Sequence, residues 1–297
     1  MSTFREITEE VSKLDYIQTL LSTYESIAAL YMRRTKNMVV DSRAFYEGLR
    51  GIYDEVLEAH RVEIESVFKK RSFTKRLLGA FSGRKKQKDA AVLLSVNTGL
   101  YGDIVLKTLR EFSKHVQSQK TDVVIMGKRG RYLFESLMPR TPYVYMEFPD
   151  TAIDVDKIIS AADFLSGYRR VHVFYGKFES FVLQVPKDTT LGSAGELSAQ
   201  HAAVKQKGKP AVLYLFEPSL KEVARFFEKE IFASLFQQLV EESHLAKFAS
   251  RMYLLDNATR RIRDIAAVTE LNRQRAIHQI QNKKQLEVVY SRIAIGV

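Results

Sequence analysis

The sequence contains no cysteine and no tryptophan. Without cysteine there can be no disulfide framework and no thiolate metal site. No run approaches the ~18 uninterrupted apolar residues of a membrane-spanning helix. The opening residues, Met1 to Glu6, turn acidic at once and lack the apolar core of a signal peptide. They predict a chain made and kept in the cytoplasm. Proline and glycine are scarce at both ends. All six prolines lie between Pro139 and Pro218. The first ~65 residues carry only Gly48 and Gly51, and beyond Pro218 the one glycine is Gly296. Residues that break helices are therefore confined to the middle of the chain.

Each flank is free to be one long helix, and the apolar spacing predicts that it is. Ile7, Leu14, Leu21 and Ala28 recur every seven residues. Ile17, Tyr24, Tyr31 and Met38 form a second series offset by three, and the two together read as an a/d seam. In the C-terminal flank Leu245, Phe248, Met252, Leu255, Ile262, Ala266 and Ala276 follow a similar seam, interrupted by Thr259, Thr269 and Arg273. An unbroken helix of ~60 residues would be ~90 Å long. One narrow stripe on each of two such helices predicts that they pair.

The middle carries short β-rich runs. These are Ala91–Val96, Val123–Met126, Tyr143–Met146, Val171–Tyr175, Phe181–Val185 and Ala211–Leu215. Helical stretches around Ile104–Val116 and Tyr132–Leu137 separate the early ones. Strand and helix in alternation predict a parallel sheet, and nearly all-apolar strands predict cover on both faces. The Val171 and Phe181 runs, joined by Gly176 to Ser180, read as an edge hairpin. The polar stretch from Asp188 to Lys209 reads as a surface loop. The predicted fold is thus α/β: a long antiparallel two-helix coiled coil from the N- and C-terminal segments, with an inserted Rossmann-like α/β domain. Its divisions are an N-terminal coiled-coil helix at 1–66, a basic linker at 67–89, the α/β domain at 90–217, and a C-terminal coiled-coil helix at 218–297.

The chain offers 297 residues, 45% hydrophobic, and a formal net charge of +11. Such a charge favours an acidic partner without choosing between nucleic acid, anionic lipid and protein. The densest cationic stretch holds Lys69, Lys70, Arg71, Lys75, Arg76, Arg84, Lys85, Lys86 and Lys88, interleaved with Phe68, Phe73 and Phe81. It reads as a solvated linker or as a segment that lies on a membrane surface. No recognisable nucleic-acid fold accompanies it.

Motifs for catalysis are missing. Gly99-Leu100-Tyr101-Gly102 lacks the dinucleotide fingerprint and reads as a strand-to-helix turn. Gly127-Lys128 has Asp122 where a P-loop needs its first glycine and Arg129 where it needs Ser or Thr. The six histidines, at 60, 115, 172, 201, 244 and 278, have no metal-ligand spacing. No serine sits in G-x-S-x-G. The expectation is a chain with no catalytic residues, cofactor or metal of its own.

Several runs, in order, resemble the γ subunits of F-type ATP synthases. Ile27-Ala28-Ala29-Leu30-Tyr31-Met32-Arg33-Arg34 is similar to the end of that family's opening helix. Ser95 to Asp103 sits where the family has a strand and a Gly-rich turn, and Gly127-Lys128-Arg129-Gly130 resembles its Gly-Arg-Lys-Gly turn. Tyr214 to Ser219 is similar to the run into the last helix. Ser250-Arg251-Met252, Asp256 to Thr259 and Asn272 to Ala276 resemble the C-terminal signature. Departures are Tyr31 for a lysine, Arg261-Ile262 for an Asn-Ala pair, and Thr19 to Tyr24 near the family's Lys-Ile-Thr core.

The resemblance implies a central-stalk rotor that couples ion-driven rotation of a membrane ring to conformational change in a catalytic hexamer. It implies as partners the α and β subunits, the ε subunit and the c ring, with peripheral attachment at the inner face of the membrane. It makes Arg33, Arg34, Arg273, Arg275, Lys69, Lys70 and Arg71 the candidate partner-binding residues. A coiled-coil scaffold derived from the same family, without ATPase coupling, is the alternative, and a nucleotide-dependent central enzyme is a third reading.

Overall fold

The computed structural model describes residues 4–59, 88–150, 154–192, 217 and 219–295. The basic stretch from Lys69 to Lys86, the Ala211–Leu215 run and residues 193–209 of the polar stretch lie outside the described residues.

Two long helices frame the chain. The first, α1, runs Phe4–Ala59. The last, α5, runs Leu220–Ile295, 76 residues without interruption. Ser219 starts it: its hydroxyl accepts the Glu222 amide at 3.3 Å, as an N-cap serine does. Neither helix meets a proline, so nothing in the sequence stops them.

Between them lies a five-stranded sheet in the order β3-β2-β1-β4-β5. The strands are β1 (Ala90–Leu94), β2 (Asp122–Met126), β3 (Tyr143–Met146), β4 (Arg170–Phe178) and β5 (Gln184–Gly192). The first four are parallel, and β5 returns antiparallel along β4. The crossovers are α2 (Ile104–Ser118), α3 (Lys128–Leu137) and α4 (Val155–Leu165). The side-chain period of two divides the core. Ala91, Leu93, Val123, Ile125 and Phe174 face Leu109 and Phe112 of α2 and Phe134 of α3. Val92, Leu94, Val124, Val173 and Tyr175 face Ile158 and Leu165 of α4, together with Phe232, Phe236, Leu239 and Val240 of α5. The long helix is therefore a layer of the α/β sandwich and not an appendage to it.

By compactness the chain divides into two units. One is Met1–Leu30 with Arg251–Val297, and the other is Tyr31–Ser250. Within the second unit α1 and α5 run antiparallel: Tyr31 stacks on Phe248, Arg43 faces Glu242, and Tyr53 stacks on Phe227. Within the first, Leu14, Ala28, Leu255, Thr259 and Thr269 are buried. Leu21, Ile262, Ala266, Arg273 and Ala276 are half-buried.

Three sequence expectations need correction. The second N-terminal series holds at Tyr31 and Met38, which are half-buried, but not at its start. Ile17 and Tyr24 are exposed, whereas Val11, Gln18, Glu25 and Met32, four residues after the first series, are half-buried. The edge hairpin is displaced: β4 continues through Gly176 to Phe178, and Val182 and Leu183 sit exposed in the turn. Residues 188–192, read as loop, belong to β5. Helix α4, which the sequence reading did not foresee, opens on Asp154, whose carboxylate accepts the Lys157 amide.

Candidate functional site

The site begins where β1 ends. Ser95 to Asp103 leave the sheet, cross under α5 and enter α2. The turn is held by one carboxylate. Asp150 accepts the amides of Asn97 at 2.8 Å and Thr98 at 2.9 Å and the Thr98 hydroxyl at 3.0 Å. Asn97 ties three chain segments together: its Nδ2 donates to the Phe148 carbonyl at 2.6 Å, and its Oδ1 accepts the Lys128 amide at 2.8 Å. The Gly127 that opens α3 has φ of +103°, and a Cβ there would meet the Val96 amide nitrogen at 2.7 Å. That position needs glycine on both counts. The amides that a phosphate-binding turn would offer to a ligand are thus occupied by Asp150.

Helix α5 is bolted onto this turn. Every residue from Glu241 to Ser250 is buried. Lys247 Nζ donates to the Ser95 carbonyl at 2.7 Å, and Ser250 Oγ donates to the Tyr101 carbonyl at 2.8 Å. Phe248 lies parallel to Tyr31 of α1 at 5.2 Å between centroids and meets the Tyr101 ring near edge-on at 6.4 Å. His244 packs edge-on against Phe148 and Phe248. Turn, α1 and α5 therefore converge on Phe248.

Burial sets the electrostatics. It lowers Lys247 to about 8, although the Asp150 charge pulls the other way. It lowers His244 to about 3, with the Lys247 charge adding to the effect. Glu241 is held above the usual carboxylate range by burial. Tyr175 is pushed up to about 12 by burial; its hydroxyl stands 3.5 Å from Glu242. Glu241, His244 and Lys247 are lodged in the packed layer of α5, and Tyr175 faces them from β4. Among the described residues no group of three or more His, Asp or Glu is placed to hold a metal. What the arrangement offers is mechanical: the sheet and the α5 residues from Phe232 to Ser250 share one core.

The candidate residues fall in separate places. Arg33 and Arg34 are adjacent and exposed on α1. Arg273, half-buried on α5, is engaged by Glu270 through two bonds of 2.8 and 2.7 Å, so its guanidinium fork is already filled from its own helix. Arg275 is exposed. Lys69, Lys70 and Arg71 lie outside the described residues. The sequence reading missed Asn97, Asp150, His244 and Lys247 as parts of one site. Their separation in the chain hides them, although Ser95 to Asp103 and Ser250 were both in runs that carried the resemblance.

No helix among the described residues is long and apolar enough to cross a membrane. A family model described as ATP synthase matches residues 3–279. An ATP synthase gamma chain of Cytophaga hutchinsonii is 22% identical over 308 aligned positions, which cover 97% of each chain. A chain in the rotor of the Euglena gracilis mitochondrial ATP synthase aligns with a TM-score of 0.61 at 15% identity, over 93% of this chain and 98% of that one. A chain from the central stalk and c-ring of the Tetrahymena thermophila mitochondrial enzyme aligns with a TM-score of 0.56 at 16% identity, over 80% of this chain and 99% of that one. With the ordered runs, the helix–domain–helix plan and a match along nearly its whole length, the chain belongs to the γ-subunit family of the ATP synthases.

Proposed function

We propose that this chain is the central rotor shaft of a rotary ATP synthase. The observation that carries the reading is that α5 is both a core layer of the sheet domain and an unbroken helix out to Ile295. Torque applied to the domain passes into the helix through packed side chains. Fully burying Phe232, Phe236, Leu239 and Val240 contributes about 1.5–3 kcal/mol for each side chain, so the grip resists slipping. The chain supplies no catalytic group. It transmits rotation of the c ring to the α and β subunits that surround the coil, with the ε subunit beside the sheet domain.

The coupling ion in this reading is a proton or sodium, and the complex lies on the inner face of the membrane. The working divisions remain 1–66, 67–89, 90–217 and 218–297, with the basic linker next to the lipid. Arg33, Arg34 and Arg275 offer exposed cations to acidic loops of the ring, and Lys69, Lys70 and Arg71 offer cations near the membrane. Arg273 shapes the helix surface through Glu270. The test is co-purification of the chain with α and β subunits expressed beside it. A stoichiometric complex whose ATP hydrolysis changes when Arg275 is replaced by Ala supports the reading. A chain that ignores both subunits overturns it.

A further inference from the structure

The stretch of α5 from Leu239 to Ser250 is buried throughout, yet it carries two glutamates in succession. Neighbours on a helix point about 100° apart, so Glu241 and Glu242 meet different surroundings. Glu242 has company of the opposite sign. Arg43 of α1 reaches it at 3.9 Å, the Tyr175 hydroxyl stands 3.5 Å away, and Lys177 of β4 feels its charge. Glu241, with no exposed surface at all, has none of these.

Glu241 faces α1. Its Oε1 accepts the Gln237 amide at 2.8 Å, and the Ser42 hydroxyl bonds to it from α1. Ser42 lies on the face of α1 that packs on α5, because Thr35, Val39 and Tyr53, at helical spacing from it, are buried. The charge that α1 brings to Glu241 is Asp41, of the same sign. On α5 itself His244, one turn on, turns to Phe148 and Phe248, and Lys247 turns to the Ser95 carbonyl. Among the described residues no cation is set against Glu241. An ionised carboxylate is costly in such a place, and the neutral acid much less so.

We propose that Glu241 is a proton-operated clasp between α1 and α5: as an acid it lets the two helices close beside the sheet domain, and as a carboxylate it eases them apart at Asp41. Burial, with the Asp41 charge adding to it, holds Glu241 above the usual carboxylate range, although the bonds from Ser42 and Gln237 pull the other way. The folded chain therefore holds this proton more tightly than the unfolded chain. The contact is at full strength below about pH 4, where an unfolded glutamate is also protonated, and it weakens as pH rises through the folded value. A rise in pH thus loosens the part of α1 that lies against Glu241.

The test is amide exchange of the full chain at pH 5.0 and pH 7.5, corrected for the intrinsic pH dependence of exchange, in the parent and in Glu241→Gln. Glutamine keeps the shape and can still accept from Ser42, but it cannot ionise. Protection of residues 35–46 should fall with rising pH by at least about tenfold more in the parent than in the variant, while β1 and β2 show no such difference. Asp41→Asn, at an exposed position, should shrink the parent's fall. No fall in the parent, or an equal fall in a folded Glu241→Gln, overturns the proposal. Should Glu241→Gln fail to fold, Asp41→Asn decides: a smaller fall supports the clasp and an undiminished one overturns it. The chain is tested alone, so this outcome stands apart from the shaft reading, which co-purification tests.

Discussion

Ser250 stands so close to Gly102 that a Cβ on residue 102 would lie 2.6 Å from its hydroxyl. Gly102 has φ of +63°, which places it in the left-handed region, and its neighbour Leu100 has φ of +66°. The turn is wound to let α5 approach. Gly102→Ala should therefore suffer twice, from about 1–2 kcal/mol of left-handed strain and from the clash with Ser250. Denaturant unfolding should give a loss of roughly 2–4 kcal/mol. The double variant with Ser250→Ala should recover the steric part and keep the strain. Additive losses would show that the two residues do not press on each other.

Lys247 imposes a pH dependence whose sign is fixed by its lowered pKa of about 8. In the unfolded chain a lysine titrates near 10.4. Below pH 8 both states hold the proton, and the folded state bears the full cost of a buried charge, about 3 kcal/mol. Between pH 8 and 10 the folded state sheds the proton first, so stability should rise by about 2 kcal/mol. Urea unfolding at pH 7 and at pH 9.5 checks this. Lys247→Met should abolish the rise. A parent chain that loses stability over that interval relative to Lys247→Met would contradict the assignment.

The fold was legible in the sequence wherever side-chain period and chain punctuation agree. Confinement of all prolines to 139–218 left the flanks free to be helices, and continuous apolar runs marked β1 and β2. The first heptad series held because Leu14 and Ala28 carry the seam. The second held at Tyr31, which stacks on Phe248, and failed at Ile17 and Tyr24, which face outward while Gln18 and Glu25 occupy seam positions. A two-helix coil buries too little surface to force every apolar residue inward. Phe181-Val182-Leu183 read as a strand by composition, yet Gln184 Nε2 donates to the carbonyls of Ser180 and Phe181 and holds the segment as a turn. The site was less legible still. Asn97, Asp150 and Lys247 are ordinary polar residues until the fold brings them together, and no local spacing signals a carboxylate that closes a turn 52 residues away.

His244 should make the sheet domain acid-sensitive. Its folded pKa of about 3 lies below the unfolded value, so the unfolded chain takes up a proton first as pH falls. Stability present above about pH 6.5 is then lost progressively, by about 2 kcal/mol between pH 7 and pH 5. His244→Gln should reduce the acid slope by that amount. Glu241, shifted upward, acts in the opposite sense in both proteins, so it cancels in the comparison. Equal slopes for parent and variant would remove His244 as the cause.

Leu255, 1% exposed, is the most buried apolar side chain of the coil segment of α5. Leu255→Asp places an unpaired charge in the seam at a cost of several kcal/mol. Amide exchange should quicken in residues 4–30 and 251–295, while β1, β2 and β4, which have their own core, stay protected. Uniform loss of protection would mean that the sheet domain has no independent stability.

The central claim is that the sheet domain grips α5 and turns with it. The most direct measurement assembles the chain with α and β subunits fixed to a surface, attaches a fluorescent bead to the exposed Tyr132 side of α3 through a Tyr132→Cys variant, and records the bead during ATP hydrolysis. The account predicts unidirectional stepwise rotation, slowed or slipping when the fully buried Phe236 is replaced by Ala. ATP hydrolysis by the complete complex with a stationary bead would contradict it.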